Sequence, residues 1–289
     1  MDYSFFPGCA LEASCPHYYK STRATCEALG ITLTEVEDWN CCGATAYIGT
    51  DEDKAIAYSA RNLALAEAAG ATDLVTACNA CYITLRKAGK CYRESKPIRD
   101  NVSRALSAAG LAYRGTVDVR HIAEVFLNDV GTDRIAAAVK RDLGGLKVAA
   151  YHGCLLSRPF TDVDDADHPT ILDKLLSAAG AHLVPFPMTA KCCGGMLMTT
   201  RRDVSLPLVH DILSCARAYG ADCVAVACPL CSINLEAYQE SLRVQFDFGP
   251  PMPIVLFTQL IGSALGISEE ALGLEQCFVD VRPALAAYA

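Results

Sequence analysis

The chain has 289 residues, 52% of them hydrophobic, and this composition excludes an intrinsically disordered protein. Lysine and arginine total 25 against 33 aspartates and glutamates, so the net charge of -8 offers no basic surface for nucleic acid or an anionic membrane. The 16 cysteines are the unusual feature. Since we recognise no secretory signal and no membrane-spanning stretch, we expect a cytoplasmic protein whose clustered thiols hold metal or do redox chemistry.

The sequence consists of two halves that resemble each other. Three cysteine-bearing segments of the first half return about 150 residues later: Pro7-Gly8-Cys9 as His152-Gly153-Cys154, Asn40-Cys41-Cys42-Gly43 as Lys191-Cys192-Cys193-Gly194, and Cys78-Asn79-Ala80-Cys81 as Cys228-Pro229-Leu230-Cys231. A glycine pair at 144–145 is the natural boundary. We therefore predict an N-terminal domain of residues 1–144 and a C-terminal domain of residues 145–289.

Strands and helices alternate along each half. In the second half we predict, in chain order, a strand at 147–151, a helix at 168–179, a strand at 182–186, a helix at 203–219, a strand at 223–227 and a helix at 232–242. The strands are continuous apolar runs, which is typical of parallel strands covered on both faces. The predicted fold class is α/β, with two pseudo-twofold-related domains that are each a Rossmann-like parallel sheet flanked by helices.

Five cysteines of each half follow the ends of predicted strands. They are Cys9, Cys41, Cys42, Cys78 and Cys81 in the first half, and Cys154, Cys192, Cys193, Cys228 and Cys231 in the second. Ligands of open parallel sheets bind beyond the carboxyl ends of the strands, so we expect each group of five thiols to converge. The remaining six have no counterpart in the other half and are expected to be buried structural thiols: Cys15, Cys26, Cys91, Cys215, Cys223 and Cys277.

Five thiols per half suggest which metal the protein holds. Zinc and a cubane iron–sulfur cluster each take four ligands, one fewer than either half provides. Adjacent cysteines such as Cys41 and Cys42 more readily reach two irons of one extended cluster than a single ion. This reasoning favours iron–sulfur over zinc and leaves a structural zinc protein as the alternative.

The full pattern, Cys-x31-Cys-Cys-x35-Cys-x-x-Cys followed by Cys-x37-Cys-Cys-x34-Cys-x-x-Cys, resembles the tandem cysteine-rich CCG domains of the heterodisulfide reductase B-subunit family. The resemblance implies two non-cubane [4Fe-4S] clusters, one on each group of five cysteines. It implies a catalytic role as a disulfide reductase that converts a heterodisulfide to two thiols. Its partners in the complex would be a ferredoxin-like subunit, the family's C subunit, which receives electrons from a flavin-containing one, the A subunit, because this chain has no flavin or nucleotide motif.

A non-catalytic electron-transfer subunit of a dehydrogenase or quinone-linked complex is the alternative function. Four further residues are candidate contacts for the small-molecule disulfide because they are close in sequence to the cysteines: Lys191, Arg86, Arg158 and His152. Asn40 and Asn79 are candidate hydrogen-bond donors to sulfur. The acidic run 162–167 is expected to be a solvated loop, because it lacks the glycine and final glutamate of a calcium loop.

Overall fold

The computed structural model describes residues 1–44 and 46–286. The strands of this part form two four-stranded parallel sheets. The first sheet has the order β2-β1-β3-β4 and contains β1 (Asp2–Phe5), β2 (Thr32–Glu35), β3 (Asp73–Thr76) and β4 (Asp118–His121). The second has the equivalent order β6-β5-β7-β8 and contains β5 (Lys147–Tyr151), β6 (His182–Leu183), β7 (Cys223–Val226) and β8 (Ile254–Leu256). The predicted fold class is confirmed.

Helices connect the strands and flank the sheets. The first half has a π-helical turn (Ala10–Ser14), α1 (Pro16–Ala28), α2 (Ala46–Thr50), α3 (Glu52–Ala68), α4 (Asn79–Glu94), α5 (Lys96–Ala108), α6 (Ile122–Val125), a second π-helical turn (Phe126–Val130) and α7 (Thr132–Ala138). The second half has α8 (Ile171–Ala178), α9 (Leu197–Thr200), α10 (Arg202–Ala218), α11 (Pro229–Ala237), α12 (Gln239–Phe246), α13 (Phe257–Ala264), α14 (Glu269–Leu272), a 3-10 turn (Leu274–Gln276) and α15 (Arg282–Ala286). Within the described residues, no helix combines the length and apolar character of a membrane span.

The central strands are apolar along their whole length because both faces of the sheet are covered. Every residue of β7, with the sequence Cys-Val-Ala-Val, is buried, and so is every residue of β8, with the sequence Ile-Val-Leu. Side chains alternate between the two faces of a strand, so a strand covered on one face only would show polar residues at every second position. The apolar runs in the sequence therefore predicted this sheet correctly.

Two predicted elements of the second half are shorter in the structure. The strand expected at 182–186 ends at Leu183, because Pro185 has no N–H group for the ladder. The helix expected at 168–179 begins at Ile171, where the Asp164 carboxylate accepts the N–H groups of Thr170 and Ile171, each at 2.6 Å. The start of α8 is thus set by a side chain several residues before it.

The helix expected at 232–242 is two helices. It starts earlier, at Pro229, and breaks at Tyr238. The side-chain amide of Gln239 donates to the carbonyl of Leu235 at 2.9 Å and to that of Met252 at 2.8 Å. The Leu235 carbonyl, which a continuing helix would use as a backbone acceptor, is therefore occupied by a side chain at the break. Sequence periodicity did not reveal this side-chain competition with the helix.

The two halves pack through α1 of the first and α13 of the second. The hydroxyls of Ser21 and Thr258 lie 2.8 Å apart, and the Thr25 hydroxyl donates to the carbonyl of Thr258 at 2.9 Å. The last strand of the first sheet ends at His121 and the second sheet begins at Lys147. The boundary at 144–145 lies between them and stays a prediction.

The six cysteines that have no counterpart in the other half were expected to be buried. Cys15, Cys26 and Cys223 are buried in the structure. Cys91, Cys215 and Cys277 are only half-buried, which corrects the expectation for these three.

Candidate functional site

The ten repeated cysteines follow the ends of strands, directly for Cys78 and Cys228 and after a longer loop for Cys192 and Cys193. In the first half they follow β1, β2 and β3, and in the second half β5, β6 and β7. The sheet order places β1 beside β3 and β5 beside β7, which are the switch points where open sheets bind ligands. Cys78 and Cys228 are the N-cap residues of α4 and α11, and Cys81 and Cys231 lie in the first turns. A helix N-terminus favours a thiolate there.

The thiols of the first half contact one another in series. The Sγ atoms of Cys9 and Cys41 are 3.8 Å apart. Cys42 lies near Cys81, and Cys81 near Cys78, close enough for these thiols to shift one another's pKa. The two members of the adjacent pair therefore reach different partners.

The second half repeats this arrangement. The Sγ atoms of Cys193 and Cys231 are 3.5 Å apart. Cys154 lies near Cys192, and Cys231 near Cys228, close enough for these thiols to shift one another's pKa. The pairing matches the first half member by member. The repeat in the sequence is therefore a repeat in side-chain geometry.

The two groups meet at one place. The thiols of Cys78 and Cys228, one from each half, lie near enough for each to shift the pKa of the other, that of Cys78 upward and that of Cys228 downward. Both residues are buried. Beside them, the Asn79 amide donates to the carbonyl of His152 across the two halves at 2.9 Å.

Crowding controls the ionisation of these thiols. Hydrogen bonds from the Cys42 and Cys9 thiols lower the pKa of Cys41 to about 2, and the Cys154 thiol lowers the pKa of Cys192 to about 6. Their donors are held protonated: the pKa of Cys9 and that of Cys154 are raised, first by these hydrogen bonds and then by burial. Each of these contacts favours one thiolate beside one thiol. Bound metal cations would allow both to ionise.

Glycines bring the backbone close to the sulfurs. Gly8 has φ +72°, and a Cβ atom on it would come 2.8 Å from Sγ of Cys81. Gly153 has φ +71°, and a Cβ atom there would come 3.3 Å from Sγ of Cys231. Such close approach suits a loop that wraps around a compact group, and it needs glycine at both positions.

A cavity of about 250 Å³ lies at the second group. Its lining includes all five cysteines of that half together with Asn79 and Ala80 from the first half. Within residues 1–44 and 46–286, no three Cys, His, Asp or Glu side chains are grouped as a single-metal site would be. Five thiols around a shared cavity, with glycine backbone beside them, fit a multi-iron cluster.

Polar side chains that sequence patterns did not reveal support the second cysteine pair. The Asn234 amide donates to the carbonyl of Cys193 at 3.2 Å and to that of Gly195 at 2.9 Å. The Tyr151 hydroxyl donates to the carbonyl of Lys191 at 2.6 Å. Asn234 lies three residues after Cys231 on α11, so helical spacing was the signal that could have found it.

Three of the four candidate substrate contacts are engaged within the protein. His152 is 0% exposed, its Nδ1 lies 2.7 Å from the Thr189 hydroxyl, and its Nε2 accepts the Leu172 N–H at 3.0 Å. Burial lowers the pKa of this histidine to about 4. The ring is a neutral brace for the loop before Cys154, an arrangement that gives no support to a substrate contact.

The two arginines contact the acidic run. Arg86 pairs with Asp162 and its guanidinium lies 4.7 Å from the ring centre of Phe160, while Arg158 bonds Asp167 at 2.6 Å. The run is an exposed loop, as expected, and two of its carboxylates form ion pairs with these arginines. Lys191 is exposed beside Cys192 and has no ion pair within the described part of the chain.

The two asparagines do not act as first expected. The Asn40 amide donates to the carbonyls of Cys41 and Tyr58, at 2.8 and 3.1 Å. The Asn79 amide donates to the carbonyl of His152 at 2.9 Å, across the two halves. Their hydrogens go to backbone oxygen rather than to sulfur, so both residues position the cysteine loops.

Known proteins resemble this chain in sequence. Residues 3–86 and 148–236 match the model of the cysteine-rich CCG domain. The chain is 32% identical over 281 residues to the 8-methylmenaquinol:fumarate reductase membrane anchor subunit of Wolinella succinogenes, covering 96% of this chain and 97% of that protein. It is 30% identical over 278 residues to the B subunit of the ferredoxin/F(420)H(2)-dependent CoB-CoM heterodisulfide reductase of Methanosarcina acetivorans, covering 94% and 92%.

Among solved structures, a hypothetical protein from Helicobacter pylori superimposes with a TM-score of 0.78 over 96% of this chain at 16% identity. The superimposed part is 51% of that longer chain. At this identity the likeness shows the fold alone.

Proposed function

Because the chain belongs to the family of tandem CCG-domain proteins that includes the heterodisulfide reductase B subunits, we propose that it is the catalytic subunit of a heterodisulfide reductase-type complex. The reaction breaks one S–S bond: RS–SR′ with two electrons and two protons gives RSH and R′SH. The observation that supports the proposal is that the two equivalent cysteine groups lie side by side: Asn79, next to Cys78, bonds the carbonyl of His152 across the two halves at 2.9 Å, and the second group's cavity is lined by Asn79 and Ala80 of the first half. Two adjacent groups suit a disulfide substrate, because each group could act on one of its two sulfur atoms.

The ten repeated cysteines would hold two non-cubane [4Fe-4S] clusters. Cys9, Cys41, Cys42, Cys78 and Cys81 would hold the first, and Cys154, Cys192, Cys193, Cys228 and Cys231 the second. When bound, such clusters supply single electrons and iron that binds sulfur. The chain itself supplies an apolar surround, including Leu155 and Leu230, and the exposed cation of Lys191 that orients an anionic disulfide.

Electrons would come from other members of the complex. No flavin or nucleotide motif is recognised in the sequence, so we assign a ferredoxin-like protein, the C subunit, as the direct donor and a flavin-containing protein, the A subunit, as the source of its electrons. Cys9 and Cys192 are exposed, which gives each cysteine group a point of access from the surface. We place this complex in the cytoplasm.

A non-catalytic electron-transfer subunit is the second candidate. The relative from Wolinella succinogenes, matched over nearly its full length, is named as an anchor subunit of a fumarate reductase. In that role the same cysteine sites would pass electrons between partners and bind no disulfide.

Anaerobic reduction assays separate the two candidates. Reduced methyl viologen serves as electron donor, with the coenzyme M–coenzyme B disulfide and neutral 2-hydroxyethyl disulfide as probes. A disulfide reductase releases two thiols per disulfide and changes its electron paramagnetic resonance spectrum when thiol is added. A relay subunit reduces neither probe, and its electron paramagnetic resonance spectrum does not change when thiol is added. Cys78→Ser should abolish turnover, and Cys215→Ser, outside both groups, is the matched control.

A further inference from the structure

The chain on either side of Cys154 is a long loop that reaches from the second half to the first. Residues 152–170, between β5 and α8, form no helix or strand. Loops longer than about 12–15 residues without secondary structure of their own are uncommon in compact domains and usually have a function. This loop starts at the second cysteine group, because Cys154 and Leu155 line the cavity there. Whatever holds the loop therefore also holds Cys154.

Helix α4 of the first half grips the middle of this loop. The guanidinium of Arg86 lies 4.7 Å from the ring centre of Phe160, and the ammonium of Lys90 lies 5.2 Å from the same centre. Arg86 also forms an ion pair with Asp162, two residues further along the loop. A cation within about 6 Å of an aromatic face is attracted by the ring. Three polar contacts thus fasten the loop of one half to a helix of the other.

The same helix holds the start of the loop. The amide of Asn79, in the first turn of α4, donates to the carbonyl of His152 at 2.9 Å. This first turn also carries cysteines of the first group. Helix α4 therefore holds the chain on both sides of Cys154, before it at His152 and after it at Phe160, and ties its position to the first cysteine group.

The chain after Cys9, the counterpart of Cys154, is held in a different way. It folds at once into the π-helical turn Ala10–Ser14, which packs against α11 of the second half. Leu11 in this turn is 0% exposed. The Asp162 side chain, by contrast, is 62% exposed. Apolar burial fixes the chain beside the first group, whereas contacts at the surface, which are weaker and screened by salt, fix the chain beside the second.

We propose that Arg86 and its partners, Phe160 and Asp162, form a clasp between the halves. The clasp positions Cys154, and its opening exposes the second cysteine group while the first stays closed. This role deepens the proposed function and rests on it where Cys154 is a cluster ligand, because release of the loop would then loosen the second cluster first. The clasp itself consists of contacts within the polypeptide, so its opening is measured in the chain freed of metal.

Alkylation of Cys154 measures this opening. The full chain, freed of metal by a chelator without oxygen, reacts briefly with iodoacetamide, whose iodide leaves as the thiolate forms an S–C bond. Peptide mass spectrometry then gives the labelling rate of Cys154 relative to that of Cys9 in the same sample. We expect Asp162→Asn to raise this ratio about 3-fold. Arg86→Met should raise it about 5-fold, and Arg86→Lys, which keeps the cation, should restore most of the wild-type value.

Asp167→Asn is the matched control, because Asp167 is an exposed carboxylate of the same loop that pairs with Arg158, also in the loop, at 2.6 Å. It should leave the ratio unchanged. Three results would overturn the proposal: an unchanged ratio in Asp162→Asn, a rise in Arg86→Lys equal to that in Arg86→Met, or an equal rise in Asp167→Asn. Labelling of the buried Cys26 reports unfolding of the whole chain. If it shows that Arg86→Met does not fold, the two aspartate variants decide.

Iron release tests the link to the proposed function separately. In the chain purified with its metal, Asp162→Asn should speed the loss of about half of the iron to a chelator, as two four-iron sites with one loosened predict. A higher labelling ratio for Cys154 with unchanged iron release would support the clasp and contradict the assignment of Cys154 as a cluster ligand.

Discussion

The backbone of Gly8 lies directly against the thiol of Cys81, so closely that a methyl group on Gly8 would come within 2.8 Å of the sulfur. The two residues lie beyond adjacent strands, β1 and β3. Their approach puts the loop that carries Cys9 against the first turn of α4. The geometry of the first cysteine group therefore depends on a residue with no side chain of its own.

Gly8→Ala should remove iron from the first half. The new methyl group must displace Cys81, and the positive φ of +72° adds about 1–2 kcal/mol of strain. We expect the iron content to fall by about half. Gly110→Ala is the control, since Gly110 has φ +73° and no neighbour within 4 Å. It should lower the melting temperature but not the iron content, and equal iron loss in both variants would show that strain alone is responsible.

Asn234→Val should lower the iron content of the second cysteine group and leave that of the first unchanged. The substitution removes the amide that bonds the carbonyls of Cys193 and Gly195. Each keeps one longer hydrogen bond, from the Ser205 hydroxyl at 3.4 Å and the Met198 N–H at 3.5 Å, and each bond lost costs about 0.5–1.5 kcal/mol. Thr84→Val is the control, because Thr84 lies three residues after Cys81 as Asn234 lies three after Cys231, and its hydroxyl donates to the carbonyl of Ala80 within its own helix. Iron and sulfide per chain report the result. An iron content in Asn234→Val equal to that of the wild type would contradict the role of Asn234 in holding the loop of the second cysteine pair.

Glu236 should make stability depend on pH. Burial raises the pKa of this carboxyl from 4.5 to about 7, and the backbone N–H of Val279 donates to it at 2.9 Å. Because the folded pKa is the higher one, the stabilisation is fully present below pH 4.5 and is lost as pH rises through 7. Between pH 5 and pH 8 the free energy of unfolding of the wild type should fall by roughly 2–3 kcal/mol relative to Glu236→Gln.

Urea unfolding at the two pH values measures this difference. Glu270→Gln, on an exposed residue of α14, is the control and should follow the wild type. A difference between wild type and Glu236→Gln that stays constant from pH 5 to pH 8 would show that Glu236 does not titrate in this range.

Lys191 should matter only for charged substrates. Its exposed ammonium lies beside Cys192 and has no ion pair within the described residues. Lys191→Gln should raise KM for an anionic disulfide about 5-fold, equivalent to about 1 kcal/mol, and leave KM for neutral 2-hydroxyethyl disulfide unchanged. Lys174→Gln, an exposed lysine on α8, serves as control. Equal effects on both disulfides would indicate a structural role.

The sheets and the convergence of the ten thiols could be predicted because both follow from local pattern. Apolar runs such as that of β7 identify buried parallel strands, and cysteines placed after each strand must meet at one edge. The resemblance to the heterodisulfide reductase B-subunit family, based on the same spacing, is confirmed by the family match and the relatives.

Contacts between distant residues could not be read from local pattern. Tyr18 bonds Ala227 across 209 positions, and Asn79 bonds His152 across 73. Both contacts depend on how the halves pack, which no periodicity encodes. The predicted end of the strand at 182–186 was wrong for a reason visible in the sequence, because Pro185 has no N–H group for the sheet.

The most direct test of the proposed cluster chemistry is the metal and acid-labile sulfide content of the chain purified without oxygen. We predict about eight irons with matching sulfide, as two four-iron clusters on the ten repeated cysteines require. Zinc without sulfide would contradict this prediction and make the protein a structural zinc protein.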